Sequence, residues 1–88
     1  MSSNIKLTGI HVGAARKLLR ISQQDLAAEA GVSEATVKNF EAGLHDPRPA
    51  TLKVIREALE AHGIEFMNGG EPGVRLRPSK ATKPPLHS

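Results

Sequence analysis

Few side chains in this sequence could do covalent or metal chemistry. None of the 88 residues is a cysteine, so neither a disulfide framework nor a thiolate metal site can form. The four histidines, His11, His45, His62 and His87, are scattered, without the close spacing of a metal-binding pair. His62 falls where a helix should end, and an imidazole there complements the helix dipole. Gly69-Gly70-Glu71-Pro72-Gly73 lacks the Gly-Lys-Ser/Thr of a phosphate loop and opens no helix, so it reads as a turn. No nucleophile has an arguable base beside it. The sequence therefore predicts no enzyme, no metal site and no cofactor. What it does hold is a run of hydrogen-bonding side chains at helical spacing. Counted at about 100° per residue, Val37 and Phe40 point one way, while Glu34, Ala35, Lys38 and Asn39 share the opposite face. That is the chemistry of recognition, set against the plainer alternative of a solvated helix face.

The elements around this face follow from periodicity and punctuation. Thr8 can cap a first helix with a buried stripe of Val12, Ala15, Leu18 and Leu19, ending near Arg20. Ser22 opens a second helix, with Asp25 three residues on as an acidic capping box and Leu26, Ala27 and Ala30 inside. Gly31 ends it, where a left-handed terminus favours a residue without Cβ. Ser33 caps a third helix, with Glu34 at the positive end of its dipole and Gly43 as its stop. Pro49 suits the first turn of a fourth, whose apolar stripe is Leu52, Ile55, Ala58 and Leu59 and whose terminator is Gly63. The period then falls to two. Ile64-Glu65-Phe66-Met67 and Val74-Arg75-Leu76-Arg77 alternate apolar with polar, as the strands of a hairpin do. From Pro78 onward Pro, Ser, Lys and Thr offer no core, which predicts a disordered basic tail.

The segment from Ser22 to Ala42 meets the mechanical needs of a helix-turn-helix. Ala27 keeps the helix crossing small, Gly31 supplies the turn, and Leu26, Val32, Val37 and Phe40 fill the space behind. A generic helical hairpin would show part of this pattern. The fuller set is Arg16, Leu19, Ser22-Gln23-Gln24-Asp25-Leu26-Ala27, Gly31-Val32-Ser33, Thr36-Val37, Phe40-Glu41-Ala42-Gly43 and Pro47-Arg48-Pro49. It resembles the Xre, or Cro/cI-type, DNA-binding helix-turn-helix family over roughly residues 8–62.

The resemblance implies a mainly α fold: a small lambda-repressor-like bundle of four to five helices, here followed by a C-terminal β-hairpin. It also implies a transcriptional regulator, usually a repressor that binds double-stranded DNA as a dimer. Carried over by position, Ser33, Glu34, Ala35, Lys38 and Asn39 would reach base edges. Asn39 could bond an adenine in two places, Glu34 could accept from a cytosine amine, and the Ala35 methyl could touch thymine. Ser22, Gln23, Thr36 and Arg48 would bond phosphates. Arg16 and Glu41 match a structural ion pair between the first helix and the recognition helix, formed through two parallel bonds. The dimer cannot be inherited from relatives that use an extra helix. Ile64, Phe66, Val74 and Leu76 are expected to serve it, through an apolar hairpin face left uncovered by the helices.

Charge shapes the choice of partner. The chain carries a net +3, but unevenly: +4 over residues 1–20, −5 over 21–71 and +4 over 72–88. Phosphate attraction should then come largely from those two flanks, 1–20 and 72–88. The expected organisation is an N-terminal basic arm (1–7), the helical domain (8–63), the hairpin (64–77) and the basic tail (78–88). The recognition segment itself is acidic by one charge, from Glu34, Lys38 and Glu41. That favours a rival reading, a protein-binding module whose partner is another regulatory protein. No apolar run approaches the roughly 18 residues of a membrane span. Ile10 to Ala15 is too short for a signal sequence and is cut off by Arg16 and Lys17. A cytoplasmic homodimer on an operator with two half-sites is the leading expectation.

Overall fold

The computed structural model describes residues 7–44, 48–67 and 73–84. Most of the expected N-terminal arm, His45, the glycine-rich hairpin loop and His87 lie outside the described residues. Four helices come first: α1 (Gly9–Leu19), α2 (Gln23–Ala30), α3 (Glu34–Glu41) and α4 (Pro49–Ala61). Two antiparallel strands follow, β1 (Ile64–Met67) and β2 (Gly73–Leu76), and then a single 3₁₀ turn, Pro78–Lys80. The fold is mainly helical with a two-stranded hairpin. No described helix is long and apolar enough to cross a membrane.

Local chemistry starts and stops the helices where the sequence predicts. The Ser22 hydroxyl accepts from the Asp25 amide at 3.0 Å, and the Asp25 carboxylate accepts from the Ser22 amide at 3.1 Å, a closed capping box. Thr8 makes the same reciprocal cap with His11, which gives that histidine a local structural role. Gly31, Gly43 and Gly63 take positive φ after α2, α3 and α4. Pro49 is at the first turn of α4. Gly9 does something the periodicity could not reveal. A Cβ placed there would run into the Phe40 carbonyl oxygen and lie 2.9 Å from Glu41 Cα, so α1 and α3 pack backbone to backbone.

The core gathers Val12 and Ala15 of α1, Leu26 and Ala27 of α2, Val37 and Phe40 of α3, and Ile55, Ala58 and Leu59 of α4. Leu7 before α1, Ile21 between α1 and α2, and Ile64 at the start of β1 complete it. Leu18 does not belong: it is 43% exposed. It falls about 100° round the helix from Leu19, outside the stripe centred on Val12, Ala15 and Leu19. Leu52 packs against the core but is only partly buried.

The C-terminal third departs most from expectation. Ile64 pairs with Leu76 and Phe66 with Val74, which places all four on one face of the hairpin. That face was expected to lie open for a second copy. Instead Ile64 is buried, Phe66 and Leu76 pack against the helical core, Val74 is half-buried, and β2 lies along α1. Nor do residues 78–84 form a free tail. The Thr82 and Lys83 amides both donate to the Ala61 carbonyl, at 2.8 and 3.1 Å, and occupy an acceptor that the end of α4 leaves open.

Charge closes the same corner. His62 is buried, and its Nε2 donates to Glu29 Oε1 at 2.9 Å. Lys83 Nζ reaches the same oxygen at 3.5 Å. His62 therefore does more than complement a dipole: Glu29 ties α2 to the end of α4 and to the chain beyond it. On the hairpin, Glu65 gathers Arg75 at 2.8 Å, Lys80 at 3.3 Å and Arg77 at 3.6 Å. All four C-terminal cations thus face carboxylates, which weakens the idea that this end supplies free positive charge.

The Glu29 carboxyl is held below its ordinary value, first by the hydrogen bond from His62 and then by Lys83. A depressed carboxyl pKa adds stability above the unfolded value, near 4.5, and loses it as the pH falls through the folded value. Glu29→Gln should therefore be less stable than the parent at neutral pH. The gap should shrink as the pH drops below about 4.5, read from urea midpoints across a pH series.

Candidate nucleic-acid interface

Three helices are fastened at one carboxylate. Arg16 Nε donates to Glu41 Oε2 at 2.9 Å and Arg16 Nη2 to Glu41 Oε1 at 3.0 Å, the two parallel bonds expected of a guanidinium and a carboxylate. Arg16 Nη1 also donates to the Ile21 carbonyl at 3.0 Å, fixing the link between α1 and α2. Both charged side chains are largely buried, at 16% and 11% exposure. The bonds to Glu41 raise the Arg16 pKa further, so the guanidinium stays charged. Sequence reasoning identified this pair but missed its third member. Gln23 Nε2 donates to Glu41 Oε1 at 3.1 Å, which brings the first residue of α2 against the last of α3.

This joint fixes what α3 presents. Val37 and Phe40 are buried, whereas Ser33, Glu34, Ala35 and Lys38 are exposed and Thr36 and Asn39 are half-buried. The outer face expected from a helical count is thus the solvent-facing side of α3. Gln23 is half-buried at the start of α2, next to the exposed Ser22, and Arg48 is exposed just before α4.

Several of these groups also have internal work. The Ser22 hydroxyl is the cap of α2. Ser33 Oγ accepts from the Thr36 amide at 3.1 Å and shares a 2.8 Å bond with Thr36 Oγ1. One hydroxyl proton is consumed in that shared bond, whichever residue donates, so the pair keeps one to offer an external acceptor. Gln23 likewise spends one of its two amide protons on Glu41 and retains the other. Ser22, Gln23 and the Ser33–Thr36 pair are thus held in place, each with one donor proton left to give.

The joint also changes the electrostatics. Glu41 is neutralised by Arg16, so the outward charges of α3 are Glu34 and Lys38, which balance. The recognition segment is not acidic in effect. No group of three or more His, Asp or Glu among the described residues could hold a metal ion.

Two short capped helices joined at Gly31, with the second exposing a polar face, define a helix-turn-helix. A family model described as "Helix-turn-helix" matches residues 12–66, and the chain belongs to that family, of the Xre, Cro/cI type. It is similar in structure to the DNA-binding domain of the P22 C2 repressor, solved by NMR in solution. The TM-score is 0.56 and the identity 32%, over 65% of this chain and 75% of that one. No curated protein matches the sequence.

The joint can be tested by stability alone. Glu41→Ala strands a largely buried guanidinium and should cost about 2–3 kcal/mol in urea unfolding. The double variant Arg16→Met with Glu41→Leu removes both charges and should lose less than Glu41→Ala.

Proposed function

We propose that this chain is a sequence-specific double-stranded DNA-binding transcription regulator, acting in the cytoplasm as a homodimeric repressor that includes its own promoter among its targets. The observation that carries this reading is the outer face of α3. A capped helix, fixed at its far end by Glu41, exposes Glu34, Ala35 and Lys38 side by side, with Asn39 half-buried next to them. Membership of the helix-turn-helix family and likeness to a repressor's DNA-binding domain support it.

In this reading α3 enters the major groove. Ser33, Glu34, Ala35, Lys38 and Asn39 meet base edges, with Asn39 suited to two bonds with an adenine. Ser22, Gln23, Thr36 and Arg48 hold phosphates on either side and set the register. The remaining amide proton of Gln23 and the remaining hydroxyl proton of the Ser33–Thr36 pair are the donors available for this work. A dimer would present two such helices roughly 34 Å apart, one turn of DNA. We assign its contact to the outer edge of the hairpin, because a two-stranded sheet leaves backbone groups unpaired there. Ile64, Phe66, Val74 and Leu76 then seat the hairpin on the helices and hold that edge in place.

The test is a duplex titration at rising salt, on DNA from upstream of the protein's own gene and on random sequence. Log affinity should fall linearly with log salt, and one duplex should be preferred. Asn39→Ala should cost about 1–3 kcal/mol at its base pair and relax the preference there. Gln23→Ala should weaken all sequences alike. Binding that ignores salt, or an unchanged preference in Asn39→Ala, would defeat this placement of the reading face. Sedimentation of the intact protein as a monomer at tens of micromolar would remove the dimer and leave the reading face standing.

A further inference from the structure

The backbone turns left-handed at four described positions. Three of them are glycines: Gly31, Gly43 and Gly63. The fourth is Arg20, at φ 60° and ψ 42°, which ends α1 by donating its backbone N–H to the Arg16 and Lys17 carbonyls. A residue with a Cβ is disfavoured in this conformation, and glycine would serve the cap better. Nothing among the described residues explains the arginine. Its side chain is exposed, and its guanidinium has no hydrogen-bond or ion-pair partner among the described residues. Arg16, Arg56, Arg75, Arg77, Lys80 and Lys83 each face a carboxylate. Arg20, like Lys17, Lys38, Arg48 and Lys53, faces no carboxylate among the described residues.

Its position gives that charge a use. Two residues later Ser22 caps α2, and Gln23 follows with its amide fixed by Glu41. The intervening Ile21 is buried, and its carbonyl is held by Arg16 at 3.0 Å, so the link cannot swing freely. The outward charges of α3 cancel, and the C-terminal cations are paired. A phosphate backbone lying along the start of α2 would find Arg20 as the nearest uncompensated cation in sequence.

We infer that Arg20 is a DNA-phosphate contact, its guanidinium binding the duplex backbone beside Ser22 and Gln23. This rests on the proposed DNA-binding function and extends its clamp by a residue that the family pattern did not supply. The arginine is retained at a left-handed position because it serves binding and not folding. Stability and affinity should therefore respond to its replacement in opposite senses.

The probe is mixed-sequence duplex DNA, titrated by fluorescence anisotropy at several salt concentrations. Arg20→Gly should leave the melting temperature unchanged or higher. It should weaken binding about eightfold at 0.1 M salt and flatten the log–log salt slope by about 0.9 for each protomer bound. Arg20→Lys should keep most of the affinity and the slope. Arg75→Gln, which removes the same charge from the hairpin, should change the slope less. Equal affinity and slope in Arg20→Gly and the parent would overturn the inference. So would equal losses in Arg20→Gly and Arg75→Gln, which would mark a general charge effect. A parent protein that binds no duplex would instead sink the DNA-binding reading itself.

Discussion

The Arg16–Glu41 pair is the constraint on which the outer face of α3 depends. α2 and α3 have eight residues each, too few for either helix to persist alone in water. Their relative angle must be imposed by contacts outside them. The apolar contacts of Leu26, Ala27, Val37 and Phe40 supply adhesion, but such contacts have little directional preference. The planar guanidinium and carboxylate do have direction, and with Gln23 they lock three helices at one point. Gly9 permits that lock by letting the α1 backbone approach α3 closely enough for Arg16 to reach across.

Much of the helical fold was legible because its signals are local. A cap and its partner lie three residues apart, a stopping glycine sits at the end it stops, and an apolar stripe repeats every three or four residues. Ser22 with Asp25, Gly31, Ser33 and Pro49 all belong to this class. The features that escaped depend on residues distant in sequence. His62 meets Glu29 across 33 positions and Lys83 meets it across 54. No window of sequence contains both partners. The hairpin misled for the same reason: alternation shows that Ile64, Phe66, Val74 and Leu76 share a face, not what covers it.

The candidate site was legible in outline and less so in detail. Helical geometry alone placed Glu34, Ala35, Lys38 and Asn39 together, because period and capping decide which way a short helix faces. A charge count could not show that Glu41 is already spent on Arg16, or that Arg75, Arg77 and Lys80 crowd one glutamate. The acidity that argued for a protein partner shrinks once those pairings are seen. Arg20 was counted among the basic N-terminal residues, but its backbone conformation, which makes it unusual, cannot be read from composition.

The anchoring of residues 82 and 83 to Ala61 bears on how this domain could be joined to other things. α4 runs from Pro49 to Ala61, so its ends lie roughly 20 Å apart at 1.5 Å per residue. Arg48 stands at one end, and the chain leading to Pro84 is tethered at the other. A fluorophore, a tag or a second folded unit attached beyond Pro84 would set out from the pole of α4 opposite Arg48. Such an addition would start about one helix length from Arg48 and close to Glu29, near the end of α2.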